Sequence, residues 1–298
     1  MTNQPRPTIQ REFTRNLAFW GAADQEKLEK CHITIAGLGG DGGLLAEALA
    51  RMGIGHFTLA DPDTFSVENM NRQSCFTDEF GQNKARVVGR HIARINPSAT
   101  VSVYEEGVTT YNAEELVAKA DILVDATDIS VPFIGQCLAR AARQRNIPNF
   151  MGLAVGFGAQ LTCFKGNEYH KTFEGFIGLR EGDELKEGDQ VPVTSWLSYI
   201  PPYMSPRQLA SIAEGLLGTP AIMPGVLRST ELKINEIIRY IFTGSCIEAP
   251  DIIVADSYAV THFVTNDKLA TLANSMGDMG ALALGNAQFS LRSEYIIK

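Results

Sequence analysis

The chain has no Cys-x-x-Cys pair. Its five cysteines stand singly at 31, 75, 137, 163 and 246, so a four-thiolate zinc site has no ligand spacing to use. An odd set of scattered thiols excludes a disulfide framework and reads as reduced, mostly buried side chains. No apolar run is long enough to span a bilayer. Residues 1–15 are polar and lack the apolar core of a signal peptide. A cytoplasmic protein with no membrane partner is the expectation. Clustered cations are missing as well: 26 Lys and Arg stand against 34 Asp and Glu, for a net charge of −8. Nucleic acid is therefore not the expected partner, because neutralising phosphates needs grouped Lys and Arg. The five histidines do not pair with Cys or acids at a ligand spacing and read as structural or surface residues.

What is present is an ordinary soluble composition of 298 residues, 45% hydrophobic and 20% charged, enough for a substantial core. The first half alternates two patterns. Short apolar runs at 32–36, 56–60, 100–104, 121–125 and 148–153 read as strands. Between them, 42–52, 82–95, 112–119 and 131–145 read as helices. Repeats of this kind predict an α/β fold: a Rossmann-like, doubly wound, mostly parallel sheet with helices on both faces. After Phe150 the pattern changes. A polar stretch over 165–206 shows no periodicity. Helices follow near 206–217 (Leu209, Ile212, Ala213, Leu216, Leu217) and 225–243 (Leu227, Ile234, Ile237, Ile238, Ile241), with a late strand at 251–255. The expected organisation is an N-terminal helical arm (1–30), an ATP-binding Rossmann-like domain (31–164), a mobile crossover segment (165–206), and helices, antiparallel strands and a tail (207–298) completing the same domain.

The informative motif is Gly37-Leu38-Gly39-Gly40-Asp41-Gly42, set between the first strand and the first long helix. Glycines let the backbone approach a phosphate, and the N–H groups of the first helical turn point at it. Gly37, Gly39, Gly40 and Gly42 are thus candidate nucleotide contacts. Asp61 ends the next apolar run, at the distance expected for a ribose contact. Asp63, Asn69, Arg72 and Gln73 follow, and Lys84 opens the next helix. Asp125 to Asp128 closes another strand at the carboxyl edge of the sheet, where open α/β sheets bind ligands. Two cations, helix N–H groups and a carboxylate able to hold Mg2+ describe a triphosphate site better than a dinucleotide site.

These stretches, with Phe13-Thr14-Arg15-Asn16, Gly81-Gln82-Asn83-Lys84, Ile95-Asn96-Pro97 and Pro220-Ala221-Ile222-Met223-Pro224-Gly225, resemble the ThiF-type adenylyltransferases of the ubiquitin-activating-enzyme-like superfamily over roughly residues 11–260. The resemblance implies ATP and Mg2+ as cofactors, with Asp61 on ribose, Asn69, Arg72 and Lys84 on phosphates, and Asp128 serving Mg2+ and the α-phosphate. It implies a homodimer in which Arg15 reaches the partner's site. The reaction implied is adenylylation of a carboxylate on a peptide or small-protein tail; one branch acts on modified tRNA. Residues 165–206 hold no cysteine, so no thioester on the enzyme is expected, and no zinc is expected. Asp41 stands where the family has a small or apolar residue; helix capping is its expected role. An NAD-dependent oxidoreductase and a non-catalytic peptide-binding module remain the competing readings.

Overall fold

The computed structural model describes residues 11–205, 207–208, 220–268 and 270–271. Within them the backbone forms one eight-stranded sheet. Its strands are β1 (His32–Ala36), β2 (His56–Ala60), β3 (Thr100–Tyr104), β4 (Ile122–Asp125), β5 (Asn149–Val155), β6 (Gly158–Phe164), β7 (Ile252–Asp256) and β8 (Thr261–Thr265). The spatial order is β3-β2-β1-β4-β5-β6-β7-β8. The first five strands run parallel; β6, β7 and β8 are added antiparallel. The doubly wound sheet with antiparallel C-terminal strands is thus as expected. The order reverses between β1 and β4, and the crevice at that switch point is where such sheets bind ligands.

The helices are α1 (Ala22–Lys30), α2 (Gly40–Met52), α3 (Lys84–Ile95), α4 (Ala113–Leu116), α5 (Pro132–Gln144), α6 (Phe173–Ile177) and α7 (Met223–Thr243). One face of the sheet packs Ile33, Ile35 and Phe57 against Leu45 and Leu49 of α2, Val88 and Ile92 of α3, and Leu232 and Ile237 of α7. The other packs Leu123 against Ala113 of α4 and Ile134 and Leu138 of α5. Strands covered on both faces read as continuous apolar runs, which is why β1, β2 and β4 were visible in the sequence. The expected helix over 112–119 shrinks to the four residues of α4.

The stretch 165–206 carries more structure than its composition suggested. It contains short 3-10 turns at Tyr169–Lys171 and Val193–Ser195 as well as α6. Phe173, Ile177, Leu185 and Trp196 bury themselves against Met151 and Phe164. These apolar residues are spaced too irregularly to give a helical or strand period. The helix expected near 206–217 and most of the tail (266–298) lie outside the described residues, as do residues 1–10. Among the described residues no helix is long and apolar enough to cross a membrane.

The turn after β1 depends on two glycines. Gly37 has φ +88°, a conformation that favours glycine, and a Cβ there would strike the Ala126 backbone. A Cβ on Gly42 would overlap the Gly37 carbonyl. Neither clash can be relieved by a rotamer change, because the struck atoms are backbone. Gly42→Ala is expected to destabilise the fold by about 1–3 kcal/mol, despite alanine's better helix propensity. Thermal melts beside Gly39→Ala, whose Cβ meets nothing closer than 3.7 Å, check this.

Candidate active site

The N-terminus of α2 faces the crevice with no side-chain cap. Gly39 at the N-cap has none to offer, and Asp41 does not supply one. The Asp41 carboxylate turns instead toward α7, accepting from Ser229 Oγ (2.6 Å), Thr230 Oγ1 (3.3 Å) and the Lys233 ammonium. The capping role expected for Asp41 is therefore corrected: a buried cation outcompetes the exposed N–H groups for it. Lys233 is fully buried and also donates to Ser229 Oγ (3.0 Å) and the Gly152 carbonyl (3.3 Å). Two consequences follow for an anion at α2. The first-turn N–H groups stay available, and Lys233 balances the Asp41 charge.

Arg72 lies against this turn. A Cβ on Gly40 would sit 3.4 Å from Arg72 Cγ and 3.2 Å from the Arg72 carbonyl. The residue as a whole is half-buried. Both of its side-chain hydrogen bonds, to the Glu68 carbonyl (3.1 Å) and Asn71 Oδ1 (2.8 Å), use Nη1. Among the described residues Nε and Nη2 have no hydrogen-bond partner. Gln73, the nearest neighbour of Gly39, is buried with an unpartnered Oε1. Asn69 spends its Oδ1 on the Ser66 N–H (3.1 Å), fixing the loop before Arg72.

Asp61 directly follows β2 beside the turn and is buried. Its Oδ2 accepts from the Leu38 N–H at 2.5 Å and its Oδ1 from the Asp63 N–H at 2.9 Å. Burial pushes its carboxyl up, against those two N–H groups and Lys84. In this geometry Asp61 shapes the glycine turn through the Leu38 N–H. Lys84 Nζ reaches Asp63 Oδ2 at 2.8 Å. Asn83 caps α3 through the Arg86 N–H and donates to the Asp61 carbonyl at 2.8 Å, tying the acidic loop to the helix that carries Lys84.

Across the crevice, Asp125 at the end of β4 is buried and accepts from the Thr127 N–H (3.0 Å) and hydroxyl (2.6 Å) through Oδ1. Burial raises its carboxyl, opposed by Thr127 and nearby Lys233. Asp128 is exposed at the mouth, and its Oδ1 accepts from the Ser130 N–H at 2.8 Å. A small cavity of about 10 Å³ opens here, lined by Asp125, Thr127, Asp128, Met151, Gly152 and Trp196 among others. The structure therefore gathers Gly37, Gly39, Gly40, Gly42, Asp61, Asn69, Arg72, Gln73 and Lys84 on one side and Asp128 on the other.

Arg15 is not gathered there. It is exposed, next to Asn16, which reaches the Met52 carbonyl at 3.4 Å, and Phe13, which packs on Gly53. That is the far end of α2, a 13-residue helix about 20 Å long, from its own chain's glycine turn.

The loop carrying Arg72 and Gln73 is braced from behind. Ser74 donates to Glu47 of α2. Glu47 Oε1 also meets His91 Nδ1 at 2.8 Å, while His91 Nε2 meets Glu79 Oε1 at 2.8 Å. Two ionised carboxylates only accept, so the ring satisfies both only when both nitrogens carry hydrogen. The Glu47 hydrogen bond raises His91 above its ordinary pKa; burial works against it, and Glu79 assists. For Glu47, burial raises the pKa, but the His91 and Ser74 bonds outweigh it and hold the group low. The stability His91 contributes is complete below its unfolded pKa of about 6.5 and is lost as pH rises through the raised folded value. The Glu47 contribution runs the other way, lost as pH falls through its depressed value. Melting temperature is expected to fall as pH is raised above neutral, and His91→Gln is expected to flatten that slope. Unchanged pH profiles in the two proteins would contradict it.

The ThiF family profile matches residues 13–243. The chain belongs to the ThiF family. It is 34% identical over 138 residues to the sulfur carrier protein ThiS adenylyltransferase of Escherichia coli K12, covering 46% of this chain and 54% of that protein. It is 32% identical over 178 residues to the tRNA threonylcarbamoyladenosine dehydratase of the same organism, covering 58% of this chain and 65% of that one. The crystal structure of Escherichia coli MccB with ATP shares the fold at a TM-score of 0.63 and 19% identity, covering 89% of this chain and 74% of that one. The chain thus spans roughly half to two-thirds of the curated relatives named here.

Within this ThiF-family site, Lys233, Ser229 and Trp196 went unseen in the sequence. Of the expected face of α7, Ile237 is buried and Ile234, Ile238 and Ile241 pack on the core, whereas Leu227 is 50% exposed; the face also buries Val226, Ser229, Thr230 and Lys233. The available signal was Ser229 and Lys233 one turn apart in an apolar helix, combined with an acid inside the glycine turn. The helix expected at 225–243 begins two residues earlier, at Met223. Among the described residues no group of three or more His, Cys, Asp or Glu gathers as for a metal. Burial first, then the neighbouring Cys246, pushes the Cys163 thiol well up.

Proposed function

We propose that this protein is an ATP- and Mg2+-dependent adenylyltransferase that activates the C-terminal carboxylate of a peptide or small protein as an acyl-adenylate. One observation carries the reading: the stem of Arg72 packs on Gly40 at the uncapped N-terminus of α2, with Nε and Nη2 unengaged among the described residues. A planar cation beside free helix N–H groups fits phosphate. Family membership supplies the prior. The carboxylate oxygen forms a bond to the α-phosphorus while the bond to the bridging oxygen breaks and pyrophosphate leaves. No general base is required, since a carboxylate is ionised at pH 7. The protein's task is to align the two reactants and offset charge on the phosphoryl oxygens.

In this reading Arg72 and Lys84 hold the phosphates, Asn69 and Gln73 complete the cradle, and Asp61 and Asp63 flank the ribose and Lys84. Asp128 fits Mg2+ as a hard oxygen donor at the mouth, with Oδ2 free of protein hydrogen bonds among the described residues. Mg2+, when bound, offsets triphosphate charge. Arg15, a helix length from its own turn, serves the partner's site in a homodimer. Without a cysteine in 165–206, the acyl-adenylate passes to an external nucleophile or to one within the substrate, and no zinc is involved. The substrate is a sulfur-carrier-like protein or a short precursor peptide. A modified tRNA is the second reading, favoured by the match to the tRNA-acting relative and opposed by the net charge of −8.

The test is ATP–pyrophosphate exchange with purified protein and a pool of peptides bearing free C-termini. Exchange that depends on a peptide carboxylate and disappears on C-terminal amidation supports the reading. Exchange driven only by tRNA replaces it with the second.

A further inference from the structure

The two carboxylates that meet His91 each hold one end of the segment that follows Arg72 and Gln73. The Ser74 hydroxyl donates to Glu47. The Phe76 N–H donates to Glu79 Oε2 at 2.9 Å. His91, carried by α3, stands between the acids, 2.8 Å from each. Residues 74 and 76 are thus fastened through one imidazole ring. The backbone ahead of them has little slack. The Arg72 and Gln73 N–H groups both donate to the Asn69 carbonyl, at 3.1 and 2.8 Å, and the Cys75 N–H donates to the Gln73 carbonyl at 3.0 Å. A displacement at Ser74 or Phe76 therefore reaches Arg72 through ordered chain.

Glu47 also belongs to the helix whose N-terminus Arg72 meets. It lies two turns from Gly40 along α2, about 10 Å, and a Cβ on Gly40 would sit 3.2 Å from the Arg72 carbonyl. The clip thus sets Arg72 and Gln73 relative to the first-turn N–H groups of α2.

The clip closes in one charge state. An imidazolium donates to both acids. A neutral ring turns a lone pair on one of them, and that carboxylate loses its donor and is repelled. Among the described residues the titratable and charged groups around the ring are Glu47 of α2, with Arg51 near it; Glu79 of the 3-10 turn Thr77–Glu79; Arg90 of α3, 3.6 Å from Glu79 Oε1; and Cys75. The Phe76 ring stands edge-on to His91, with centroids 5.7 Å apart. Burial first, then Glu79, pushes the Cys75 thiol up, which keeps it neutral while His91 titrates.

We propose that His91 is a positioning residue for the nucleotide: as an imidazolium it holds the Arg72–Gln73 loop on α2, and its loss of a proton loosens triphosphate binding. This rests on Arg72 serving the phosphates, and adds that ATP affinity is linked to a proton held outside the site. By reciprocity, nucleotide binding above neutral pH draws a proton onto His91.

Calorimetric titration with α,β-methylene-ATP and Mg2+, which needs no carboxylate substrate, tests it. Between about pH 6.5 and pH 9 the affinity of the wild type is expected to fall about two- to tenfold, the worth of one hydrogen bond. Heats in buffers of different ionisation enthalpy are expected to show proton uptake between those limits. His91→Gln, whose single amide group reaches only one acid as a donor, is expected to bind weakly at every pH and to lose that uptake. In Glu79→Gln the new amide donates to a neutral Nε2 while its oxygen still accepts from Phe76. That variant is expected to keep the tight binding up to pH 9. A purely structural His91 would lower the melting temperature of His91→Gln and leave the pH dependence of affinity as in the wild type. If His91→Gln does not fold, the wild type and Glu79→Gln carry the test. Wild-type affinity that does not change with pH, or a Glu79→Gln variant that weakens as the wild type does, overturns the proposal and leaves the phosphate site standing. Failure of the nucleotide to bind at any pH overturns both.

Discussion

Lys233→Met is expected to destabilise the protein by about 3–5 kcal/mol, the usual consequence of stranding one member of a buried ion pair. Lys233 is 0% exposed and its partner Asp41 only 17%. Methionine matches the length of the stem, so packing is nearly kept and the loss is electrostatic. It leaves the Asp41 carboxylate with the Ser229 and Thr230 hydroxyls alone. The corresponding shift in melting temperature is on the order of 10 °C. Asp41→Leu combined with Lys233→Met removes both charges and is expected to recover most of the loss, because an apolar pair of similar volume is often neutral or better. Thermal melts of the wild type, the single variant and the double variant decide it. A single variant within 1 kcal/mol of wild type would show that Asp41 is adequately solvated without Lys233. The pair also ties the first turn of α2 to α7, 192 residues away in sequence, so ATP affinity is expected to fall in the single variant and return in the double.

Arg72→Ala is expected to lower kcat/KM for pyrophosphate exchange by about 100–1,000-fold, the scale of losing one preorganised donor to developing negative charge. Its effect on stability is expected to stay within about 0.5 kcal/mol, since both of its hydrogen bonds are to exposed acceptors. That contrast separates the functional role from a structural one. Arg72→Lys is expected to recover only part of the rate, because an ammonium lacks the planar fork that spans two phosphate oxygens. An alanine variant with full exchange activity would remove Arg72 from the site.

The glycine turn, its strand and its helix were legible because the information is local: a short apolar run, φ-permissive residues, then a helical period. Asp61, Arg72 and Lys84 were picked out on local sequence too, and the fold places Asp61 on the Leu38 N–H, Arg72 beside Gly40 and Lys84 on Asp63. What was not legible is non-local. The Asp41–Lys233 pair joins the two halves of the chain, and neither residue alone announces it; Asp41 in isolation reads as a cap. His91 looked like a stray histidine until the fold brought Glu47 and Glu79 to both its nitrogens. Trp196 sits in a stretch without periodicity, and its burial beside Phe173 is set by the fold. The strand expected at 148–153 runs on to Val155, and Gly156, at φ +62°, makes the tight turn into β6.

The central claim is a triphosphate site rather than a dinucleotide site. Calorimetric titration of the purified protein with ATP in Mg2+, and separately with NAD+, tests it most directly. The account predicts saturable binding of ATP that weakens without Mg2+ and is lost in Arg72→Ala, with no binding of NAD+. Binding of NAD+ and not of ATP would contradict it and return the chain to the oxidoreductase reading.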